Sequence, residues 1–93
     1  MVKMAQKFHI DREKLVWRTV DGEAVILNLD DGLYYTLNEV GTLVWEGLAV
    51  GAALQEIANN LTDQYNVGIK QAQCDIKDLI TRLNKTQLVE ATD

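Results

Sequence analysis

The fold is decided by residues 15–41, which read LVWRTVDGEAVILNLDDGLYYTLNEVG. Apolar and polar side chains alternate along three short runs in this stretch, as in half-buried strands. Asp21-Gly22 is a strong two-residue hairpin signal, and Asp30-Asp31-Gly32 suits a three-residue turn with its glycine in the left-handed conformation. We therefore predict an antiparallel meander. Its strands are predicted at 15–20, 24–29 and 33–37.

The hydrophobic period becomes helical at Asn38, a residue suited to cap a helix N-terminus. Gly51 should end the first helix or the linker after it, the second helix should span 52–65, and the third should span 69–85. Because a lone three-stranded sheet is marginal in water, the helices must cover one of its faces. The predicted fold class is α+β, with the order βββααα. A winged-helix-like domain contains the same set of strands and helices, and here the strands come first in the chain.

The size and composition indicate one small globular domain. The chain has 93 residues, 47% of them apolar and 25% charged, and a formal net charge of −5. No apolar run is long enough for a membrane span or a secretion signal, so we expect a cytoplasmic protein with no membrane partner. We expect residues 1–14 to be a flexible segment and residues 15–90 to form the domain.

No constellation of residues indicates catalysis or metal binding. His9 is the single histidine and lies in the segment expected to be flexible, and Cys74 is the single cysteine. Asp75 and Asp78, near Cys74 in the sequence, are carboxylates and supply none of the positive charge that activates a thiol. We therefore expect a protein that is not an enzyme, with no metal and no cofactor.

The predicted third strand has an open edge with nothing to protect it. Residues 33–36, Leu-Tyr-Tyr-Thr, contain no proline, lysine or other charge. Three explanations are open. Another element covers the edge, the edge is too short to cause aggregation, or it accepts a peptide as an added strand. Tyr34 alternates out of phase with Leu33 and Leu37, so it should face away from their core.

An ordered set of motifs in this chain resembles the PqqD family. The set comprises an Asp-x-Gly turn ending at Gly32, the pattern Tyr-Tyr-x-Leu-Asn-x-x-Gly over 34–41, and Trp45 in the helix that follows. Later apolar spacings, over 54–67 and 75–83, extend the resemblance to residues 15–90. Many family members carry a glycine just before the final apolar pair, where this chain has Gln87. The chain also lacks the Leu-x-Pro-Glu type of second strand found in members that serve pyrroloquinoline quinone synthesis. It looks more like the stand-alone proteins of lasso-peptide or radical-SAM peptide pathways.

The resemblance implies a RiPP recognition element, which binds the leader of a ribosomally made precursor peptide. The leader would add to the third strand and present the precursor to a modifying or processing enzyme, such as a leader peptidase or a radical-SAM enzyme. The third helix would form the other wall of the cleft. Ile76 and Ile80 would line either the cleft or only the core. The residues implied in peptide binding are Leu33, Tyr34, Tyr35, Thr36, Gln73, Ile76, Lys77 and Ile80.

Two other readings of the chain remain open at this point. A winged-helix DNA-binding or transcription-regulating domain would use the basic residues of the third helix, but Asp75 and Asp78 interrupt them and the net charge is negative. We therefore expect no nucleic-acid partner. A dimer through the open strand edges is the other reading, and it is compatible with peptide binding.

Overall fold

The computed structural model describes residues 6–92 and confirms the α+β class. Three antiparallel strands form a sheet in which they lie side by side in chain order, and three helices follow them. Two further short strands pair with each other. The elements are β1 (Lys7–His9), β2 (Leu15–Val20), β3 (Glu23–Asn28), β4 (Tyr34–Thr36), α1 (Glu39–Ala49), α2 (Leu54–Gln64), α3 (Ile69–Lys85) and β5 (Glu90–Thr92).

Both predicted turns of the meander adopt the backbone that their sequences require. Asp21 and Gly22 have φ values of 53° and 80°, as a tight two-residue hairpin demands. Gly32 has φ of 72°, and the Asp31 carboxylate accepts a hydrogen bond from the Leu33 N–H at 2.9 Å. The third strand is two residues shorter than predicted, because the regular pairing covers only Tyr34–Thr36.

The helix boundaries follow the predicted signals closely. The Asn38 side chain accepts a hydrogen bond from the Gly41 N–H at 2.8 Å and so caps α1. Gly51, just past the end of α1, has φ of 81°. The bounds of α3 are those predicted, and α2 is shorter than predicted by three residues in all. Within residues 6–92, none of the helices has the length and hydropathy needed to cross a bilayer.

The core lies between the sheet and the helices. Trp45 of α1 is fully buried and meets the half-buried Trp17 of β2 edge to face, with ring centroids 5.3 Å apart. At Gly47, α1 approaches α2 so closely that a Cβ would lie 2.7 Å from the Ile57 Cγ1. Glycine is therefore needed here for close packing and not for its backbone freedom.

The strands β1 and β5 form a second sheet that the sequence pattern does not reveal. Lys7–His9 pairs antiparallel with Glu90–Thr92. The side chains of Phe8 and Ile10 are only 5% and 4% exposed and belong to the core. The described part of the N-terminal segment is therefore packed against the domain predicted at residues 15–90. Flexibility of residues 1–14 stays a prediction, and residues 1–5 lie outside the described chain.

Candidate functional site

The outer side of β4 is an open sheet edge. Within residues 6–92, β4 pairs only with β3. The Leu33 carbonyl accepts from the Asn28 N–H at 3.0 Å, and the Leu37 N–H donates to the Ala24 carbonyl at 2.9 Å. Because antiparallel ladders alternate along a strand, the backbone groups of Tyr34 and Thr36 point away from β3. These two residues present N–H donors and C=O acceptors to any strand laid beside them.

A buried hydroxyl group fixes the end of this edge strand. Thr42 of α1 is 4% exposed, and its Oγ1 accepts a hydrogen bond from the Ala24 N–H at 2.7 Å. The same hydroxyl donates to the Leu37 carbonyl at 3.3 Å. Thr42 therefore ties β3, the exit of β4 and α1 together, which holds the edge in place before any ligand arrives.

The close surroundings of Gly41 explain why the motif over residues 34–41 ends in glycine. A Cβ at this position would lie 3.2 Å from both the Leu37 Cβ and the Asn38 Oδ1. Larger side chains would therefore crowd the capping side chain of α1. Gly41 also lines the groove between β4 and α3, so its small size keeps that groove open.

A groove of about 930 Å³ runs between the β4 edge and α3. Its apolar lining on the α3 side comes from Leu79, Leu83 and the following Leu88, all at least 94% buried. The charged lining residues also lie on α3. The complete lining is Tyr35, Thr36, Leu37, Asn38, Val40, Gly41, Asp75, Asp78, Leu79, Arg82, Leu83, Thr86 and Leu88.

The structure places the predicted β4 residues at the open edge. Tyr35 and Thr36 line the groove, and Tyr35 also packs against the core. Leu33 and Tyr34 are 55% and 68% exposed, next to the groove but outside its lining. The orientation predicted for Tyr34, away from the core, is confirmed, whereas Leu33, predicted to face the core together with Leu37, is exposed. That these four residues contact a peptide stays a prediction.

The predicted α3 residues lie on other sides of the helix than the groove. Ile76 and Ile80 are 0% exposed, belong to the core and are not among the residues that line the groove. Gln73 faces α2, where its side chain donates to the Gln55 Oε1 at 3.2 Å. Lys77 is exposed and does not line the groove. None of the four forms the α3 wall of this groove.

The α3 wall consists instead of residues that the sequence reasoning missed. Asp75, Asp78, Leu79 and Arg82 follow the spacing i, i+3, i+4, i+7 of a single helix face. Polar and charged residues flank the apolar stripe of α3 on both sides. Periodicity therefore shows that one face is buried, but it does not show which flank meets β4 and which meets α2.

Residues 6–92 contain no group of three or more His, Cys, Asp or Glu side chains placed to hold a metal ion. His9 is exposed on β1, and Cys74 is an exposed free thiol on α3. Neither residue lines the groove beside β4. The groove offers backbone hydrogen bonds, an apolar floor and a charged rim. An extended peptide can bind through all three features.

The fold defines a class of small α+β domain in which an open strand edge lies beside a groove. Residues 23–89 match the family model described as coenzyme PQQ synthesis protein D (PqqD). The chain belongs to the PqqD family, and the resemblance drawn from its motifs is confirmed. A comparison with curated proteins gives no match.

Two solved structures are similar to this chain over nearly its whole length. "TbiB1 in Complex with the TbiA(beta) Leader Peptide" has a TM-score of 0.81 and 28% identity, and the match covers 88% of this chain and 95% of that one. "Lasso peptide synthetase B1 complexed with the leader peptide" has a TM-score of 0.80 and 26% identity, with coverages of 89% and 96%. Both of these relatives were solved with a leader peptide bound.

Proposed function

We propose that this chain binds the leader peptide of a ribosomally synthesised precursor by strand addition to β4, against α3. The observation that carries the proposal is the open edge at Tyr34 and Thr36 beside a groove of about 930 Å³. Two similar structures with bound leader peptides support it. A leader strand would restore the hydrogen bonds that the edge leaves to solvent.

The dimensions of the groove suit a short extended segment. Its α3 wall runs from Asp75 to Thr86, about 16 Å at the α-helical rise. An extended strand of roughly five residues has the same length. Alternate side chains of such a strand would point toward the floor at Leu79 and Leu83, while the backbone pairs with β4. Backbone pairing gives affinity, and the groove gives selectivity.

The proposed contact set differs from the sequence prediction on the α3 side. From β4, we retain Leu33, Tyr34, Tyr35 and Thr36. From α3, we replace the predicted set by Asp75, Asp78, Leu79 and Arg82, because these line the groove. Ile76 and Ile80 support the floor from beneath through the core.

The role proposed for the chain is binding and presentation, without chemistry of its own. A bound leader raises the effective concentration of the precursor at a modifying or processing enzyme, such as a leader peptidase or a radical-SAM enzyme. We propose that this happens in the cytoplasm, where precursor peptides are made.

No observation favours the DNA-binding alternative. The exposed basic residues of α3 alternate with acidic ones, and Asp75 and Asp78 lie on the same groove wall as Arg82. The formal net charge of −5 opposes phosphate binding. Dimerisation through the strand edges would compete with a leader for β4. Size-exclusion chromatography of the protein with and without the leader measures whether such a dimer forms.

The test is an NMR titration of labelled protein with the leader peptide encoded beside its gene. We expect the largest amide shifts at Tyr34, Thr36 and residues 75–86, because these would face the added strand. A scrambled leader of the same composition is the control. Shifts confined to β2 or α2, or none at millimolar peptide, would contradict the proposal.

A further inference from the structure

All the charges in the groove lie on one wall. Asp75, Asp78 and Arg82 are on α3, and the opposite wall, drawn from residues 35–41, contributes only uncharged side chains to the lining. Along α3 the order is two carboxylates followed by one guanidinium. A ligand in the groove therefore meets a negative end and a positive end, separated along the length of the helix.

These charges are not neutralised inside the described chain. The ion pair found among residues 6–92 joins Lys14 and Asp30, and neither residue lines the groove. Asp75 accepts one hydrogen bond from the Gln71 Nε2 at 2.8 Å, which leaves carboxylate lone pairs unused. Asp78 and Arg82 are four residues apart on α3 but lie beyond ion-pair distance of each other. The three side chains are exposed and available to a partner.

We infer that the groove selects a leader segment carrying a basic side chain over Asp75 and Asp78 and an acidic side chain near Arg82. This inference rests on the proposed function and specifies its substrate. Asp78 and Arg82 are separated by about 6 Å along the helix axis. Residues i and i+2 of an extended strand point to one side at a spacing of about 6.7 Å. The basic and acidic residues of the leader are therefore two positions apart.

The charged rim acts on selectivity more than on affinity. The apolar floor and the β4 backbone bind any extended segment with suitable apolar side chains. Exposed ion pairs add little to affinity, but like charges brought together at a docked interface are strongly disfavoured. The rim thus rejects leaders that place an acidic side chain over the two aspartates.

The test is a display selection of random ten-residue peptides against three proteins. They are the wild type, the groove variant D75K/D78K, and the control variant E13K/D63K, which makes the same charge change at exposed residues outside the groove. Peptides that bind the wild type but not T36P, which lacks one outward N–H of β4, count as edge-dependent. Thermal unfolding checks that every variant is folded.

We expect edge-dependent peptides enriched in Lys or Arg at one position and in Asp or Glu two positions away. Such a peptide should bind D75K/D78K about tenfold more weakly than the wild type, because two attractions become repulsions. Its affinity for E13K/D63K should be unchanged. Selection on D75K/D78K should enrich acidic residues at the formerly basic position.

Two other outcomes would contradict the inference, and they differ in what they mean for the proposed function. Edge-dependent peptides with the same charge composition on the wild type and on D75K/D78K would overturn the inference and leave the proposed function standing. A selection that yields no edge-dependent peptide on the wild type would overturn both.

Discussion

Gln87 is one of two non-glycine residues in the described chain with a positive φ, 63°. It lies just past α3, where the Gln87 N–H donates to the Asn84 carbonyl at 3.1 Å and the Leu88 N–H donates to the Leu83 carbonyl at 2.9 Å. These two bonds form a Schellman motif, whose left-handed residue is usually glycine. This backbone explains the glycine typical of the family at this position. It also turns the chain so that Leu88 and Val89 enter the core.

At the residue scale, Gln87→Gly should stabilise the protein by about 0.5–1 kcal/mol. A side chain in the left-handed region costs about 1–2 kcal/mol, and the added freedom of glycine in the unfolded chain offsets part of the gain. Urea unfolding monitored by circular dichroism measures the change. Gln71→Gly, in an exposed turn of α3, is the control and should instead lose about 1 kcal/mol. A loss of stability in Q87G would show that the glutamine side chain supports the turn.

At the element scale, the decisive feature is the direction of the backbone groups of β4. The strand is only three residues long, and its ladder with β3 uses the groups of every second residue. Thr42 of α1 bonds to Ala24 of β3 and to Leu37 at the end of β4, which supports the position of this edge. A short edge of this kind resists aggregation, yet still pairs with a peptide that the groove also holds.

Thr36→Pro should weaken leader binding at least tenfold while leaving the fold intact. Proline removes the outward N–H of Thr36, and it is tolerated on edge strands where that group faces solvent. Isothermal titration calorimetry with the leader measures the loss. The matched control is Thr19→Pro on β2, because the register of β2 with β3 places the Thr19 N–H on the opposite edge of the sheet. Equal binding by T36P and the wild type would show that the leader does not pair with β4.

At the scale of the whole molecule, the two ends of the described chain meet. The strands β1 and β5 pair, and Phe8 from β1 lies in the same core as Leu88 and Val89, just before β5. The Leu54 N–H at the start of α2 also donates to the Gln6 carbonyl at 3.3 Å. The segment before the main sheet therefore contributes to the stability of the whole domain.

Phe8→Ala should destabilise the protein by about 3–5 kcal/mol, since it removes a buried aromatic side chain and leaves a cavity. Against a typical total stability of about 5–15 kcal/mol, this is a large fraction. Urea unfolding provides the measurement. The neighbouring His9 is exposed, so His9→Ala is the control and should change stability by less than about 0.5 kcal/mol. A small effect of F8A would indicate that residues 1–14 are flexible in solution.

The local elements were predictable because their signals are short in range. The Asp21-Gly22 hairpin, the Gly32 turn and the Asn38 cap depend on a few neighbouring residues, and each is confirmed. The strands β1 and β5 were not predictable, because three residues carry too little periodicity and their partner lies at the other end of the chain. The β4 wall of the groove was accessible from sequence, since Tyr35 and Thr36 line it. The α3 side was not, since Gln73 and Asp75 look equally suitable in sequence.

The sequence by itself determined the order of the elements, the turns that join them, and the lack of charge and proline on β4. These properties arise from backbone preferences and from periods of two and 3.6 residues, which each segment carries alone. Only the tertiary structure decided which side of α3 faces β4. That orientation results from packing the apolar stripe of α3 against the common core, and it places Asp75, Asp78 and Arg82 in the groove and Ile76 and Ile80 beneath it.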